Sequence, residues 1–406
     1  MGAVPHGERM HSTHGTSHHD VVVVGARCAG SSTAMLLARQ GLDVVVVDRA
    51  TFPSDTLSTH ALARGGVVQL ARWGLLEAVV ASGAPKIHRA GFHLPDGSSV
   101  ERSIKHRAGV DHLLAPRRHV LDSLLVDSAA AAGARVETGV TVTGTITDDS
   151  GRVAGITTRD ADGTTRELRA RFVVGADGMR SRIARAVGAQ MLDERPAAGA
   201  AHYTFVAGLD AEGFEFHIGD GSFAGVFPTH GGEANVWVCN PAADPRPTGP
   251  DRTDAFLALL ERTAPRLAAR VRRAQVTAPV RGAVGLPNHV RQAAGPGWAL
   301  VGDAGYHRDP ITGHGMTDAF RDAELVARHL GQVLRDEAPE HDALSVYGEE
   351  RDRALAPIFD LTVRLVQFPP AEEFAALQME LSRCIDAEAS WLADRPILPA
   401  SAVAAA

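Results

Sequence analysis

The sequence has few residues of several kinds, and each scarcity excludes a class of protein. Its 406 residues include 3 cysteines, widely spaced and without a C-x-x-C pair, so neither a disulfide framework nor a cysteine zinc site is expected. No apolar run approaches the roughly 18 residues that span a bilayer, and no apolar signal segment follows the N-terminus. A formal charge of −7 provides no basic surface for nucleic acid. We therefore expect a cytoplasmic protein without a membrane span, a nucleic-acid partner or a bound metal.

The two ends of the chain have the composition of tails. Residues 1–19 contain five histidines among glycine, serine and threonine, with no spacing that forms a single metal-ligand set. We predict a disordered His-rich tail for this segment and a second tail at residues 397–406. The length between them suits two joined domains or one large domain.

The chain that follows the first tail has the pattern of a βαβ unit. The valine run at 21–24 predicts a strand covered on both faces of a parallel sheet, and a second valine run ends at Asp48. A glycine turn from Gly25 to Gly30 and a helix of small residues lie between the two runs. Such a turn lets backbone N–H groups approach a pyrophosphate, and the acid accepts hydrogen bonds from ribose hydroxyls. The pattern predicts a dinucleotide site, and an ordinary βα turn is the alternative.

The turn departs from the G-x-G-x-x-G fingerprint at one position. Arg27 replaces the second glycine, so its side chain must point away from the phosphates or lie alongside them. Arg49 contacts either the adenosine phosphates or solvent. The residues of this unit that are predicted to bind the cofactor are Gly25, Ala26, Arg27, Cys28, Ala29, Gly30, Asp48 and Arg49.

Two further glycine-containing segments follow predicted buried strands. One is Gly175-Ala176-Asp177-Gly178, and the other is Gly302-Asp303-Ala304 with Pro310, Gly313 and Gly315 beyond it. Together with the first turn they resemble the three fingerprints of the flavoprotein monooxygenase family typified by para-hydroxybenzoate hydroxylase. This group also includes geranylgeranyl reductases and flavin-dependent halogenases. The resemblance extends over about residues 21 to 327.

The resemblance implies FAD as the cofactor and NADPH or NADH as its reductant. Asp303 would hydrogen-bond the ribityl chain, and the loop from Pro310 to Met316 would run beside the isoalloxazine ring. A glycine-lined helix start supplies the amide donors and the positive dipole that reduced flavin requires at N1. The further residues that the resemblance places at FAD are Arg118, Val142, Asp177, Gly302, Asp303, Pro310, Gly313, Gly315 and Met316.

The activity implied by the resemblance is a NAD(P)H-consuming monooxygenation. A C4a-hydroperoxyflavin would hydroxylate or epoxidise an aromatic or polyketide-like small molecule in a dry pocket. An aromatic sheet fits such a pocket, although sheet core is the alternative for each side chain. The predicted pocket residues are Tyr203, Phe205, Phe214, Phe216 and Phe227. No catalytic residue is identified: His307, His60 and His217 are acid–base candidates by position alone, with a surface or loop role as the alternative.

Other chemistries remain open for the same three fingerprints. Reduction of a prenyl or other alkene, as in geranylgeranyl reductases, is the main alternative. A halogenase is disfavoured because Trp237 is followed by Val238-Cys239-Asn240-Pro241 and not by the W-x-W-x-I-P segment usual in that branch. A protein that binds flavin without turnover is the remaining hypothesis.

These patterns predict an α/β fold with a discontinuous Rossmann-type FAD-binding domain. Its first part covers residues 20–200, with a small β-insertion near 86–115, and its second part covers residues 281–330. An inserted antiparallel β-sheet substrate domain is expected at 201–280, and a C-terminal helical region with its tail at 331–406. The partner is expected to be a small-molecule substrate, and no pattern indicates the oligomeric state.

Overall fold

Helices and strands alternate along the first part of the chain, and strands then predominate up to three long C-terminal helices. The computed structural model describes residues 17–398. Within these residues the strands are β1 (Ser17–Val24), β2 (Val44–Asp48), β3 (Arg89–His93), β4 (Ser99–Ser103), β5 (Arg135–Thr138), β6 (Thr141–Thr147), β7 (Val153–Arg159), β8 (Thr165–Gly175), β9 (Met191–Arg195), β10 (Gly199–Ala207), β11 (Phe214–Gly219), β12 (Ser222–Pro228), β13 (Glu233–Pro241), β14 (Gln275–Val276), β15 (Arg281–Val284), β16 (Asn288–Arg291), β17 (Ala294–Gly295), β18 (Trp298–Leu300) and β19 (Tyr306–His307). The helices of the same part of the chain are α1 (Cys28–Ala38), α2 (Arg64–Arg72), α3 (Leu76–Ala81), α4 (Arg118–Ala131), α5 (Arg182–Ala186), α6 (Arg252–Thr263), α7 (Pro265–Arg273), α8 (Gly315–Leu334), α9 (Glu340–Leu365) and α10 (Ala371–Asp394).

The valine runs form the centre of the first sheet. Its strand order is β17-β18-β8-β1-β2-β5, and β6 and β7 extend it beside β8. β1 pairs in parallel with β2 and β8, with Val21 opposite Val44 and Phe172. Alternate side chains of β1 enter two different cores, one shared with α1, α4 and α8 and the other with β6 and β7. Because both faces are covered, the strand has no polar alternation, as the sequence predicts.

The second sheet carries the aromatic residues. Its order is β14-β10-β13-β12-β11-β3-β4, with β15 also on β10. β3 pairs in parallel with β11, so the small insertion predicted near 86–115 extends this sheet and the sheet is not wholly antiparallel. The backbone edge of β11 accepts β3 although more than 100 residues separate them along the chain, a pairing that no local pattern encodes. Helices α6 and α7 cover one face, whereas the loop before α8 and helices α9 and α10 pack on the other.

The first residues described belong to a strand. β1 begins at Ser17, which lies opposite Leu168 of β8, so residues 17–19 are part of the sheet and the tail boundary predicted at residue 19 is wrong. Residues 17–19 are polar, which does not predict a strand, but their pairing with β8 gives them a regular structure. Residues 1–16 and 399–406, where the rest of both predicted tails falls, lie outside the described residues.

The C-terminal helices are integral to both sheets. Tyr347 of α9 is completely buried, and its hydroxyl donates a hydrogen bond to the Leu300 carbonyl of β18 at 2.6 Å. Phe374 of α10 packs against Phe223 of the second sheet, with ring centroids 5.0 Å apart. No helix among residues 17–398 is long and apolar enough to cross a membrane. The predicted α/β fold class with C-terminal helices is confirmed.

The buried hydroxyl of Tyr347 provides a test of this integration. We expect Tyr347→Phe to lower the free energy of unfolding by about 1 kcal/mol, because the Leu300 carbonyl loses its donor in a buried site. Tyr347→Ala adds a cavity and is expected to cost about 3–5 kcal/mol. Urea denaturation measures both changes, with Val346→Ala on the exposed side of α9 as the control. Unchanged stability in Tyr347→Ala would show that α9 does not share the core of the first sheet.

Candidate functional site

The first and second fingerprints meet through their backbones. Gly25 has a φ of +100°, and a Cβ there would lie 2.4 Å from the carbonyl oxygen of Ala176. A Cβ on Gly30 would lie 1.7 Å from the carbonyl oxygen of Gly25. Both positions therefore require glycine. Helix α1 starts directly after this turn, and Arg27 at its N-cap provides no side-chain cap for the first amides. An anionic group can take the place of that cap.

Asp48 shapes the same turn. Its carboxylate accepts hydrogen bonds from the backbone N–H groups of Ala26 and Ala50, each at 2.7 Å. The side chain thus lies directly beside the glycine turn at the end of β2, the position predicted for a ribose contact.

Two other predicted cofactor residues differ in exposure. Val142 is buried on β6 within the core behind β1 and β2. Arg49 is exposed and has no ion-pair partner among the described residues.

Two of the three predicted cofactor arginines, Arg27 and Arg118, meet on a carboxylate that sequence reasoning did not select. Asp122 of α4 is completely buried, and its carboxylate lies 2.6 Å from Nη1 of Arg27 and 3.1 Å from both Nε and Nη2 of Arg118. The Arg27 side chain is therefore directed to Asp122, which resolves how an arginine replaces the second glycine. Cys28 Sγ lies 3.3 Å from the same carboxylate, and burial raises the pKa of this thiol. The i,i+4 spacing of Arg118 and Asp122 is the sequence signal that could have identified the pair.

The second fingerprint has a local structural role. The Asp177 carboxylate accepts the Ser181 hydroxyl at 2.5 Å and the backbone N–H of Arg182 at 2.6 Å, and it also accepts the N–H of Ile183 at 3.2 Å. Asp177 thereby satisfies the free amides at the start of α5. These contacts give Asp177 a role in the local structure, and its contact with FAD stays a prediction.

The third fingerprint joins the starts of α1 and α8. Gly302 has a φ of +54°, and a Cβ there would lie 3.2 Å from the Cβ of Ala29 and 3.5 Å from that of Ala319. The next residue, Asp303, is exposed to solvent at this junction. Surrounding protein nevertheless raises its pKa by desolvation, and the positive charge of Arg118 opposes the shift.

The loop between β19 and α8 has the backbone shape that the resemblance implies. Residues Pro310–Thr312 form a 3-10 turn whose first amide, that of Ile311, is capped by the Asp309 carboxylate at 3.0 Å. Gly313 follows in the left-handed region with a φ of +61°. Helix α8 then starts at Gly315 without a side-chain cap. A Cβ at Gly315 would meet nothing within 4 Å, so space is open beside this helix start.

A buried charge network anchors the start of α8 to α10. The side chains of His314 and Glu388 are joined at 2.5 Å between Nε2 and Oε2. Arg321 is completely buried and lies 2.7 Å from Glu388, 2.9 Å from Asp318 and 3.0 Å from Asp322. Burial alone would raise the pKa of Glu388, but His314 and Arg321 together lower it. Sequence reasoning missed Glu388 because 74 residues separate it from His314 and no shared pattern links them.

An aromatic cavity of about 690 Å³ adjoins this loop. One side is formed by Pro310, Ile311, Thr312 and Gly313, and residues of α10 close another. The aromatic side chains that line it are Phe92, Phe214, Phe216, Phe223, Phe227 and Trp237.

Two of the five predicted pocket residues lie outside this lining. Tyr203 and Phe205 pack around the His60 ring instead, with centroid distances of 6.2 and 5.3 Å. The other three, Phe214, Phe216 and Phe227, are at the cavity wall. Phe92 could not be selected because β3 joins this sheet only through tertiary pairing.

No described histidine lines the cavity. His217 points to the opposite face of β11 from Phe214 and Phe216, since side chains alternate along a strand; it lies 3.3 Å from Glu215 and stacks on His93 at 4.3 Å. Arg270 forms two hydrogen bonds with that Glu215 carboxylate, so a cation already occupies what could otherwise be a metal-ligand cluster.

The other two candidate histidines are held by backbone groups. His307 Nδ1 is 2.5 Å from the carbonyl oxygen of Pro287. His60 is completely buried, its Nδ1 accepts the Arg118 N–H at 3.1 Å, and burial lowers its pKa to about 3. His60 is therefore neutral near pH 7. Neither ring is placed for proton exchange with a molecule in the cavity.

The geometry fits a long anionic cofactor with a ring at one end. Two uncapped helix starts, those of α1 and α8, approach each other through Gly302, and their dipoles favour negative charge. A family model described as FAD binding domain matches residues 18–362. The chain belongs to this FAD-binding family. The family predicted from the three fingerprints is confirmed, and the chain is a flavin-dependent oxidoreductase.

Proteins that are similar to this chain in sequence or in fold are named for different reactions. A digeranylgeranylglycerophospholipid reductase from Methanocella arvoryzae is 30% identical over 361 residues, which cover 86% of this chain and 86% of the relative. The flavin-dependent brominase Bmp2 superposes with a TM-score of 0.78 at 19% identity, covering 91% of this chain and 94% of Bmp2. Pseudomonas aeruginosa PqsL, in complex with 2-aminobenzoylacetate, has a TM-score of 0.75 at 24% identity and covers 89% and 100% of the two chains.

Asp309 gives the site a measurable pH dependence. Burial raises its pKa to about 6, and the backbone N–H of Ile311 and the nearby His307 oppose the shift. The folded state thus binds the proton more tightly than the unfolded state, whose pKa is about 3.9, and stability falls as pH rises from about 4 through 6. Asp309→Asn keeps a cap oxygen but does not titrate. We expect its free energy of unfolding, compared with that of the parent protein, to rise by about 2 kcal/mol between pH 4 and pH 8.

Urea denaturation at the two pH values measures this difference. Asp309→Ala serves as the control, because it removes both the charge and the cap of Ile311. Parallel pH profiles for the parent protein and Asp309→Asn would contradict the expectation.

Asp303 is expected to be required for flavin retention. Loss of one charge-assisted hydrogen bond weakens binding by about 1.5–3 kcal/mol, so Asp303→Ala should bind FAD at least about tenfold more weakly. Titration of the apoprotein with FAD, followed by flavin fluorescence, measures the affinity. Asp220→Ala in an exposed turn is the control. Equal FAD affinity in Asp303→Ala and the parent protein would remove Asp303 from the cofactor site.

Proposed function

We propose that the protein is a monooxygenase that uses FAD and NADPH or NADH to hydroxylate or epoxidise an aromatic or polyketide-like small molecule. The observation that carries the proposal is the aromatic cavity, which directly adjoins the loop at Pro310–Thr312 and Gly313. When bound, FAD would accept hydride from the nicotinamide and then activate oxygen for transfer to the substrate.

The chain's own residues would hold FAD along the line of the three fingerprints. The amides at the start of α1 would receive the pyrophosphate, beside the ribose site at Asp48. Asp303 would accept hydrogen bonds from the ribityl hydroxyls. The uncapped amides at Gly315 and Met316 would stabilise negative charge on the edge of the ring. Arg118, held by Asp122, would contribute positive charge near Asp303.

The aromatic side chains at the cavity wall support transfer of oxygen, a reaction that requires an apolar surrounding. Phe214, Phe216 and Phe227 are joined by ring contacts of 4.4 to 6.4 Å, and Phe214 and Phe227 are almost completely buried. An apolar wall of this kind orients a flat substrate by stacking and keeps solvent from the reacting atoms. None of these three aromatic side chains offers an acid or a base.

Reduction of a carbon–carbon double bond is the second candidate. It is favoured by the 30% identity to the Methanocella digeranylgeranylglycerophospholipid reductase over most of both chains. The same cavity accepts a prenyl chain, because an aromatic wall packs equally well against aliphatic groups.

Oxygen dependence separates the two reactions. The purified holoprotein would be incubated with NADPH or NADH and a panel of aromatic, polyketide and prenyl compounds, with and without oxygen. Oxygen uptake together with a product heavier by one oxygen atom is expected. A product heavier by two hydrogens, formed without oxygen, would overturn monooxygenation in favour of the reductase. Absence of nicotinamide oxidation with every compound would contradict both candidates.

The aromatic wall can be tested in the same assay. Phe216→Ala is expected to raise KM by at least about tenfold, since removal of a stacking partner loses roughly 1.5–3 kcal/mol of apolar contact. Its control is Phe172→Leu in the core of the first sheet, which leaves the cavity intact. An unchanged KM for Phe216→Ala would place the substrate elsewhere.

A further inference from the structure

The charged residues that line the aromatic cavity are mostly of one sign. They comprise four cations, Arg64, Arg102, Lys105 and Arg107, and one anion, Asp386. We call these four cations the basic rim. Its excess of positive charge contrasts with the formal charge of −7 of the whole chain. A cluster of one sign beside a low-dielectric cavity attracts a ligand of the opposite sign.

Two members of the basic rim are held by protein groups. Arg64 is buried, and its Nε lies 2.9 Å from the Asp386 carboxylate of α10. Arg64 also donates hydrogen bonds to the carbonyl oxygens of Lys105 and Val110, both at 3.0 Å. Arg107 lies 3.1 Å from the same Asp386. These contacts fix the segment that carries Lys105 against α10.

The other two members have no protein counter-charge. Arg102 at the edge strand β4 and Lys105 in the following loop are exposed, and neither has an ion-pair partner among residues 17–398. The backbone of Lys105 is held by Arg64 while its ammonium group remains available. Ser103 and Ile104, which lie between them in the chain, also line the cavity, so both cations belong to the same side of the opening.

We propose that Arg102 and Lys105 bind an anionic group of the substrate, a carboxylate or a phosphate, while its apolar body lies in the aromatic cavity. This inference rests on the proposed function, in which the cavity holds the substrate, and it applies to either reaction. The substrate class is therefore an amphiphile with one negatively charged end. Arg64 and Asp386 act as positioning residues, because they hold the rim segment without an unpaired charge of their own.

Three ligands with one chain and different head groups test the proposal. The fluorescent neutral probe N-phenyl-1-naphthylamine would be bound to the holoprotein and displaced with decanoate, decyl phosphate or decan-1-ol. At least one of the two anions is expected to displace the probe at a concentration at least about fivefold lower than decan-1-ol requires, since two ion pairs would hold its head group. The preferred anion identifies the head group as carboxylate or phosphate.

The double variant Arg102→Gln/Lys105→Gln is expected to reduce the advantage of the anions to less than about twofold and to leave decan-1-ol unchanged, because only the charge is removed. The control is Lys86→Gln, which removes the only other lysine, whose ammonium lies 4.0 Å from Glu77 and outside the cavity lining. Leu381→Trp, which fills the cavity from α10, should abolish displacement by all three ligands.

The outcomes separate this inference from the proposed function. Two results would overturn the anionic substrate: equal displacement by decan-1-ol and both anions in the parent protein, or an anion advantage that survives in the double variant. In either case the oxidoreductase assay still decides the reaction. Displacement that is insensitive to Leu381→Trp would place the ligands outside the cavity and would count against both proposals.

Discussion

The position of one loop, that between β19 and α8, depends on a buried guanidinium. Arg321 receives a hydrogen-bonding partner from each element around that loop: Tyr306 before it, Asp318 after it and Glu388 from α10. The loop also ends at His314, which binds the same Glu388. Removing Arg321 would leave buried carboxylates without their counter-charge, at a cost of about 3–5 kcal/mol. The cofactor-facing backbone and the cavity wall are therefore held by the same set of charges.

This arrangement leaves the starts of α1 and α8 without side-chain caps. The two sets of amides approach each other through Gly302, which contacts both helices. The charged side chains of Arg27, Arg118 and Asp177 are bound to other protein groups. Arg27 and Arg118 bind Asp122, and Asp177 caps α5. Backbone groups thus provide the positive end of the site in a protein whose net charge is negative.

The cavity and its basic rim combine two kinds of recognition. The aromatic wall has no directional chemistry and accepts aromatic and aliphatic molecules alike. Charge at the opening adds the direction, since an anionic end held by Arg102 and Lys105 determines which part of the molecule approaches the Pro310–Thr312 turn. Solved structures retain the same fold as this chain at identities near 20%. Selectivity in this chain is accordingly expected from the wall and the rim.

Local patterns in the sequence were sufficient for the parts of the molecule that depend on near neighbours. The valine runs predicted β1 and β2, the glycines predicted the turn before α1 and the loop before α8, and the three fingerprints identified the FAD-binding family. Each of these features follows from backbone conformation or from periodicity within about ten residues.

Tertiary structure alone decided which side chains share a surface. It joined β3 to β11, directed His217 away from the cavity, enclosed His60 between Tyr203 and Phe205, and brought Glu388 to His314. Sheet-edge pairing and helix packing follow from the burial of whole faces, and residues far apart in the chain contribute to them without any common pattern. The sequence by itself thus determined the cofactor fold, whereas the cavity and its charge required the packed structure.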